Sequence, residues 1–274
     1  MRLNQEDYLD PSCALCGKPG EIESVRPVPQ DRILSRLREY EDRNDWPAVE
    51  RHLQYWLAEA EANRDLRGQL MLRNELMGYY RKQSRGEDAR FQAAQADQLI
   101  TRLGMEDTVT AGTTRINIGT VLEAFGDPEA ALASFETARR IYERHLPPDD
   151  GRLGGLYNNM GLALSARGRF AECRELFQKA LDVMALQPHG ELEQAITWLN
   201  LADAVEAEVG PEAAAERVEP LLDRAGALLD TASLPRNGYY AFVCEKCAPV
   251  FGHYGYFLKE AELKRRAEEI HERP

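Results

Sequence analysis

Apolar residues recur every three or four positions along most of the chain. In residues 151–186, Tyr157, Met160, Gly161 and Leu164 fall on one helical face, and Gly168 interrupts the pattern. Cys173, Leu176, Phe177, Ala180, Leu181 and Met184 then mark a second helix. Two amphipathic helices joined by a short turn form a hairpin. A lone hairpin leaves apolar surface uncovered, so this one requires copies of itself on either side.

The chain supplies them. The pattern predicts six hairpins, over residues 32–64, 66–104, 108–147, 150–189, 191–231 and 236–272. Met77, Gly119, Gly161, Ala202 and Cys244 hold the same place in successive first helices, at steps of 42, 42, 41 and 42 residues. Ala89, Ala131, Cys173 and Ala214 do so in the second helices, at steps of 42, 42 and 41. Small residues belong there because the two helices of a hairpin cross closely. A period this regular predicts an all-α solenoid of antiparallel helical hairpins over residues 32–274. Residues 1–31 read differently, as an extended N-terminal arm. They carry a Cys13-Ala-Leu-Cys16-Gly17 knuckle, and Pro19, Pro27 and Pro29 favour extended backbone.

The combinations Ile118-Gly119, Leu122, Ala131, Phe135, Ala138 and Met160-Gly161, Leu164, Cys173, Phe177, Ala180 resemble the tetratricopeptide repeat, and Trp198, Leu201 and Ala202 continue the series. The usual repeat has about 34 residues. The longer period here is similar to that of kinesin light chain and of bacterial peptide-sensing regulators. The stretch GYYAFVCEKCAPVFGHYGYF also resembles bacterial proteins of this repeat class, a likeness that brings no activity with it. The resemblance implies a right-handed superhelix whose first helices line a concave groove, where an asparagine holds an extended peptide.

One position before each hydrophobic-small pair stand Glu75, Asn117, Asn159 and Asn200. An amide both donates and accepts, as pairing with a peptide backbone requires. The expected groove residues are Asn74, Arg81, Asn117, Thr120, Asn158, Asn159, Asn200 and Asp203, with Lys82, Thr113, Glu123, Leu162 and Glu206 beside them. The other reading of the asparagines is that they cap loops or bond neighbouring helices. The lining is basic at Arg81 and Lys82 and acidic toward Asp203 and Glu206, which would orient a ligand.

Charge narrows the partner. A net charge of −12 argues against nucleic acid and anionic membranes. No apolar run approaches the ~18 residues of a membrane span, and the polar start MRLNQEDYLD is no signal peptide. The expected location is the cytoplasm and the expected partner a protein or peptide segment, with a homodimer left open. Cys13, Cys16, Cys244 and Cys247 form two Cys-x-x-Cys pairs, together the four thiolates of a structural zinc site. The arm reaches at most about 50 Å, enough to bring the pairs together along a groove. Buried or free thiols and a redox dithiol are the alternatives, whereas Cys173 reads as a core residue.

No catalytic constellation is visible. The five histidines are scattered, no nucleophile stands beside a base, and there is no Gly-rich phosphate loop. The aromatic cluster Tyr239, Tyr240, Phe242, Phe251, Tyr254, Tyr256 and Phe257 reads either as a packed end cap or as a docking patch. The expected function is a noncatalytic scaffold or adaptor that binds an extended segment. A peptide-responsive sensor or regulatory subunit is the runner-up, and an enzyme ranks last.

Overall fold

The computed structural model describes residues 26–272. Among them run twelve α-helices: α1 Gln30–Asp42, α2 Trp46–Ala62, α3 Leu66–Lys82, α4 Gly86–Leu103, α5 Val109–Ala124, α6 Pro128–His145, α7 Gly151–Ala166, α8 Phe170–Met184, α9 Glu191–Val209, α10 Pro211–Leu229, α11 Gly238–His253 and α12 Phe257–His271. The chain forms two compact units, Met1–Leu146 and Pro147–Pro274. The first holds the hairpins α1–α2, α3–α4 and α5–α6, and the second holds α7–α8, α9–α10 and α11–α12. First helices also pack on first helices: α3 on α5 in one unit, α7 on α9 and α9 on α11 in the other.

Local chemistry sets where the helices start and turn. Asp45, Asp65 and Asp127 each accept a hydrogen bond from the N–H three residues on, at 3.1, 2.9 and 3.1 Å, and so satisfy an orphan donor of α2, α3 and α6. Thr108 does the same for α5 at 3.2 Å. Pro128 and Pro211 open α6 and α10, where a missing N–H costs nothing. Every hairpin turn contains one left-handed residue: Asn44, Ser84 and Gly126 in the first unit, and Gly168, Gly210 and Gly255 in the second.

The small residues at the crossings do what the period implied. A Cβ on Gly161 would stand 2.5 Å from Phe177, and one on Gly119 would collide with Phe135. Both rings are fully buried. Seven residues earlier the contact repeats, with Gly112 beneath Tyr142 and Gly154 beneath Met184. Each of α5 and α7 thus lays a glycine-lined strip against its partner helix. Cys173 is buried in the same layer of α8.

The N-terminal end differs in detail from the sequence reading. α1 begins at Gln30, inside the stretch read as an arm. Residues 1–25, with the Cys13–Cys16 knuckle, lie outside the described residues. Of what precedes α1, Val28 is buried and its N–H donates to Asp65 Oδ2 at 2.9 Å. Asp65 therefore caps α3 with one oxygen and holds the incoming chain with the other. Gly68 makes the room, since a Cβ there would lie 2.7 Å from Val28. Among the described residues no helix is long and apolar enough to cross a membrane.

Candidate functional site

The residues expected to line a groove sit on α3 and α5 in the first unit and on α7 and α9 in the second. In the first unit, Asn117 on α5 donates from Nδ2 to Asn74 Oδ1 on α3 at 2.8 Å. Asn74 in turn donates to Leu70 O at 2.8 Å and to Thr114 Oγ1 at 3.1 Å. It is buried, so it ties α3 to α5 and does not face outward. Thr113 is also interior, bonded to Tyr142 Oη at 2.6 Å. Both face inward because position 74, three before Met77, and position 113, beside Gly112, fall on seams between helices. Thr120 spends its hydroxyl on Asn117 O at 2.8 Å. Lys82 donates to Glu41 at 3.2 Å. Arg81 stays open to solvent at the end of α3, yet the surrounding chain crowds it. That desolvation pulls its guanidinium below the ordinary value, with Glu123 opposing the shift.

The second unit repeats the amide bridge. Asn200 on α9 donates to Asn158 Oδ1 on α7 at 2.9 Å, and Thr197 donates to the same oxygen at 3.2 Å. The threonine partners, Thr114 and Thr197, belong to no motif that the sequence reading singles out. Their signal is their place on the helix seam, one turn before Asn117 and Asn200. Asn159, next to the bridge, is half-buried and bonds no other side chain among the described residues. Its amide is available.

Toward the end of α9 the lining becomes acidic and aromatic. Asp203 Oδ1 accepts from Tyr254 Oη at 3.1 Å, and Glu206 Oε2 pairs with His253 Nε2 at 2.9 Å. Asp203 is solvent-exposed, but crowding between α9 and α11 raises its carboxyl, opposed by the Tyr254 hydroxyl. Glu206 is held below its ordinary value by hydrogen bonds from Tyr254 and His253. Burial and the two carboxylates push the Tyr254 phenol up.

The aromatic cluster divides in two. Tyr240 and Phe251 are interior; Tyr240 donates to Leu229 O at 3.0 Å and accepts from Arg266 at 2.9 Å. Tyr239 and Phe242 remain 44% and 48% exposed, their rings stacked at 6.2 Å. Tyr239 donates to Glu193 on α9. Phe242 occupies on α11 the place that Asn200 holds on α9, 42 residues earlier.

Of the four cysteines expected to hold zinc, Cys13 and Cys16 lie outside the described residues. Cys244 and Cys247 are buried on α11, where desolvation pushes their thiols up to about 11 and about 12. Among the described residues no group of three or more His, Cys, Asp or Glu side chains is placed to hold a metal ion.

The tetratricopeptide repeat family matches the sequence at residues 112–150 and 154–185. No curated protein sequence matches the chain. Solved structures do resemble it. A putative kinesin light chain from Podosopora anserina, with nearly identical TPR-like repeats, is 15% identical over 74% of this chain and 94% of its own, with a TM-score of 0.52. BtubC (BKLC) from P. vanneervenii is 18% identical over 76% of this chain and 84% of its own, with a TM-score of 0.60. A Rap protein complexed with competence and sporulation factor is 15% identical, with a TM-score of 0.52; the match covers 85% of this chain and 61% of that one. Residues 112–150 and 154–185 thus match the tetratricopeptide repeat, and the helical-hairpin fold is similar to that of the solved kinesin-light-chain and BtubC structures.

Proposed function

We propose that the protein is a noncatalytic scaffold or adaptor that acts in the cytoplasm and binds an extended peptide or protein segment on its first-helix faces. The observation that carries this reading is the division of labour among the amides of the second unit. Asn158 Oδ1 and Asn200 Nδ2 are engaged in joining α7 to α9, whereas both ends of the Asn159 amide bond no other side chain among the described residues. An extended segment has free backbone donors and acceptors every residue, and an asparagine amide can answer one of each. The exposed Tyr239–Phe242 pair adds apolar area with little rotamer entropy to lose. The Rap protein of similar fold was solved with competence and sporulation factor bound, which favours a peptide-responsive regulatory subunit as the second reading.

The test is to select peptides from a random library against the full chain and measure the affinity of the tightest. Asn159→Ala and Phe242→Ala should each weaken it by about tenfold, the equivalent of about 1.4 kcal/mol. Unchanged affinity in both variants would remove the reading.

A further inference from the structure

The second unit contains a cleft of about 450 Å³ between α10, the end of α9 and the turn from α11 to α12. Its floor is apolar: Pro211 and Ala215 are its exposed part, and Ala214, Val218 and Leu222 also line it but are almost fully buried. Tyr254 and Tyr256 form one wall. The rim carries three carboxylates, Glu206, Glu216 and Glu219, and no lysine or arginine; His253 is the one basic side chain in the lining. Glu216 and Glu219 follow each other at i, i+3 on α10, so both project from the same side of that helix. Neither takes part in an ion pair among the described residues.

An apolar floor under a carboxylate rim suits one kind of side chain. A long cationic side chain can lay its methylene stem on apolar surface while its charged head reaches polar groups at the edge. Arginine suits it better than lysine, because a planar guanidinium also stacks on tyrosine rings and can be shared by two carboxylates. A neutral apolar side chain would cover the floor but leave the carboxylates without a partner, and an acidic one would be repelled.

We propose that this cleft is a binding subsite for an arginine side chain of a partner's basic segment, with Ala215 and the rings of Tyr254 and Tyr256 taking the stem and Glu216 and Glu219 the guanidinium. It deepens the scaffold reading by naming the charge of what is bound, and it rests on that reading for assigning the arginine to a partner chain.

The experiment titrates N-acetyl-arginine methylamide, and separately N-acetyl-citrulline methylamide, into the isotopically labelled full chain. It reads the NMR shifts of the Val218 methyls and the His253 ring. Citrulline keeps the shape and removes the charge. The expected result is a saturable shift with the arginine amide, weakened about tenfold or more in the citrulline arm and in the Glu216→Gln/Glu219→Gln variant. Both glutamates are exposed, so the variant keeps its fold, which the unperturbed remainder of the spectrum verifies. Equal shifts with both amides, no saturable shift, or an unaffected variant would overturn the proposal. If the cleft fails while Asn159→Ala still weakens the selected peptide, only the subsite is lost. If neither Asn159→Ala nor Phe242→Ala has an effect while the cleft binds arginine, the groove reading is the one that fails.

Discussion

Gly161 lies so close against the ring of Phe177 that a Cβ on the glycine would stand 2.5 Å from it. The ring is fully buried and cannot turn away. Gly161→Ala should therefore destabilise the second unit. Overpacking costs about 1–3 kcal/mol, here at the upper end, against the about 1 kcal/mol that alanine returns through helix propensity. Gly78, on α3, has no neighbour within 4 Å of the place a Cβ would take. Gly78→Ala should gain about 0.5–1 kcal/mol. Urea unfolding of the two variants checks both signs.

Asp65 serves two N–H groups at once, those of Gly68 and Val28. Asp65→Ala should cost about 1–2 kcal/mol from the lost cap alone. It should also free the segment before α1. Hydrogen exchange at the Val28 amide would then accelerate far more than exchange at the middle of α3. Equal acceleration at both places would mean that the helix, not the anchor, had been lost.

Asp150 gives the clearest pH dependence. Its carboxylate accepts from the Arg152 guanidinium at 2.9 and 2.8 Å and from the Arg152 N–H at 2.9 Å. The guanidinium bonds come first in holding its carboxyl below the ordinary value. A depressed folded value means that the unfolded chain takes up the proton first. The stabilisation is complete above about pH 4 and is lost as pH falls through the folded value. Asp150→Asn keeps a cap acceptor and removes only the charge, so it should cost about 0.2–1 kcal/mol at neutral pH and progressively less below about pH 4, read from urea midpoints across the acid range.

Cys173, Cys244 and Cys247 are buried, with thiols pushed up to about 11, about 11 and about 12. A protonated, covered thiol is a poor nucleophile. All three should react with a water-soluble thiol reagent only as fast as the helices open, and rapidly in denaturant. A chelator should leave the rate at Cys244 and Cys247 unchanged; a chelator-dependent rise would show a metal held there.

The helical hairpins were legible because their cause is repeated in the residues. Gly119 and Gly161 must be small for Phe135 and Phe177 to fit, so the period survives in the sequence. The position of the asparagines was legible too, but their partners were not. Asn117 and Asn200 are each bonded to the preceding first helix, and that pairing depends on how two helices stack when some forty residues separate them in the chain. Asn74 and Thr113 read as groove residues because polar type suggests exposure, whereas each is buried with its hydrogen bonds met. The aromatic cluster looked uniform in sequence. The helical period of α11 sorts it, turning Tyr240 and Phe251 inward and leaving Tyr239 and Phe242 outside. The cleft under Glu216 and Glu219 had no sequence signal, because it is formed by α10 and the α11–α12 turn together.

The first helices of the second unit are the proposed binding face. Amide hydrogen exchange of the full chain, with and without the tightest library peptide, tests it most directly. Peptide should add protection in α7, α9 and α11, around Asn159, Asn200 and Phe242, with α8 unchanged. Protection confined to α8 or α12, with none on α7 and α9, would contradict it.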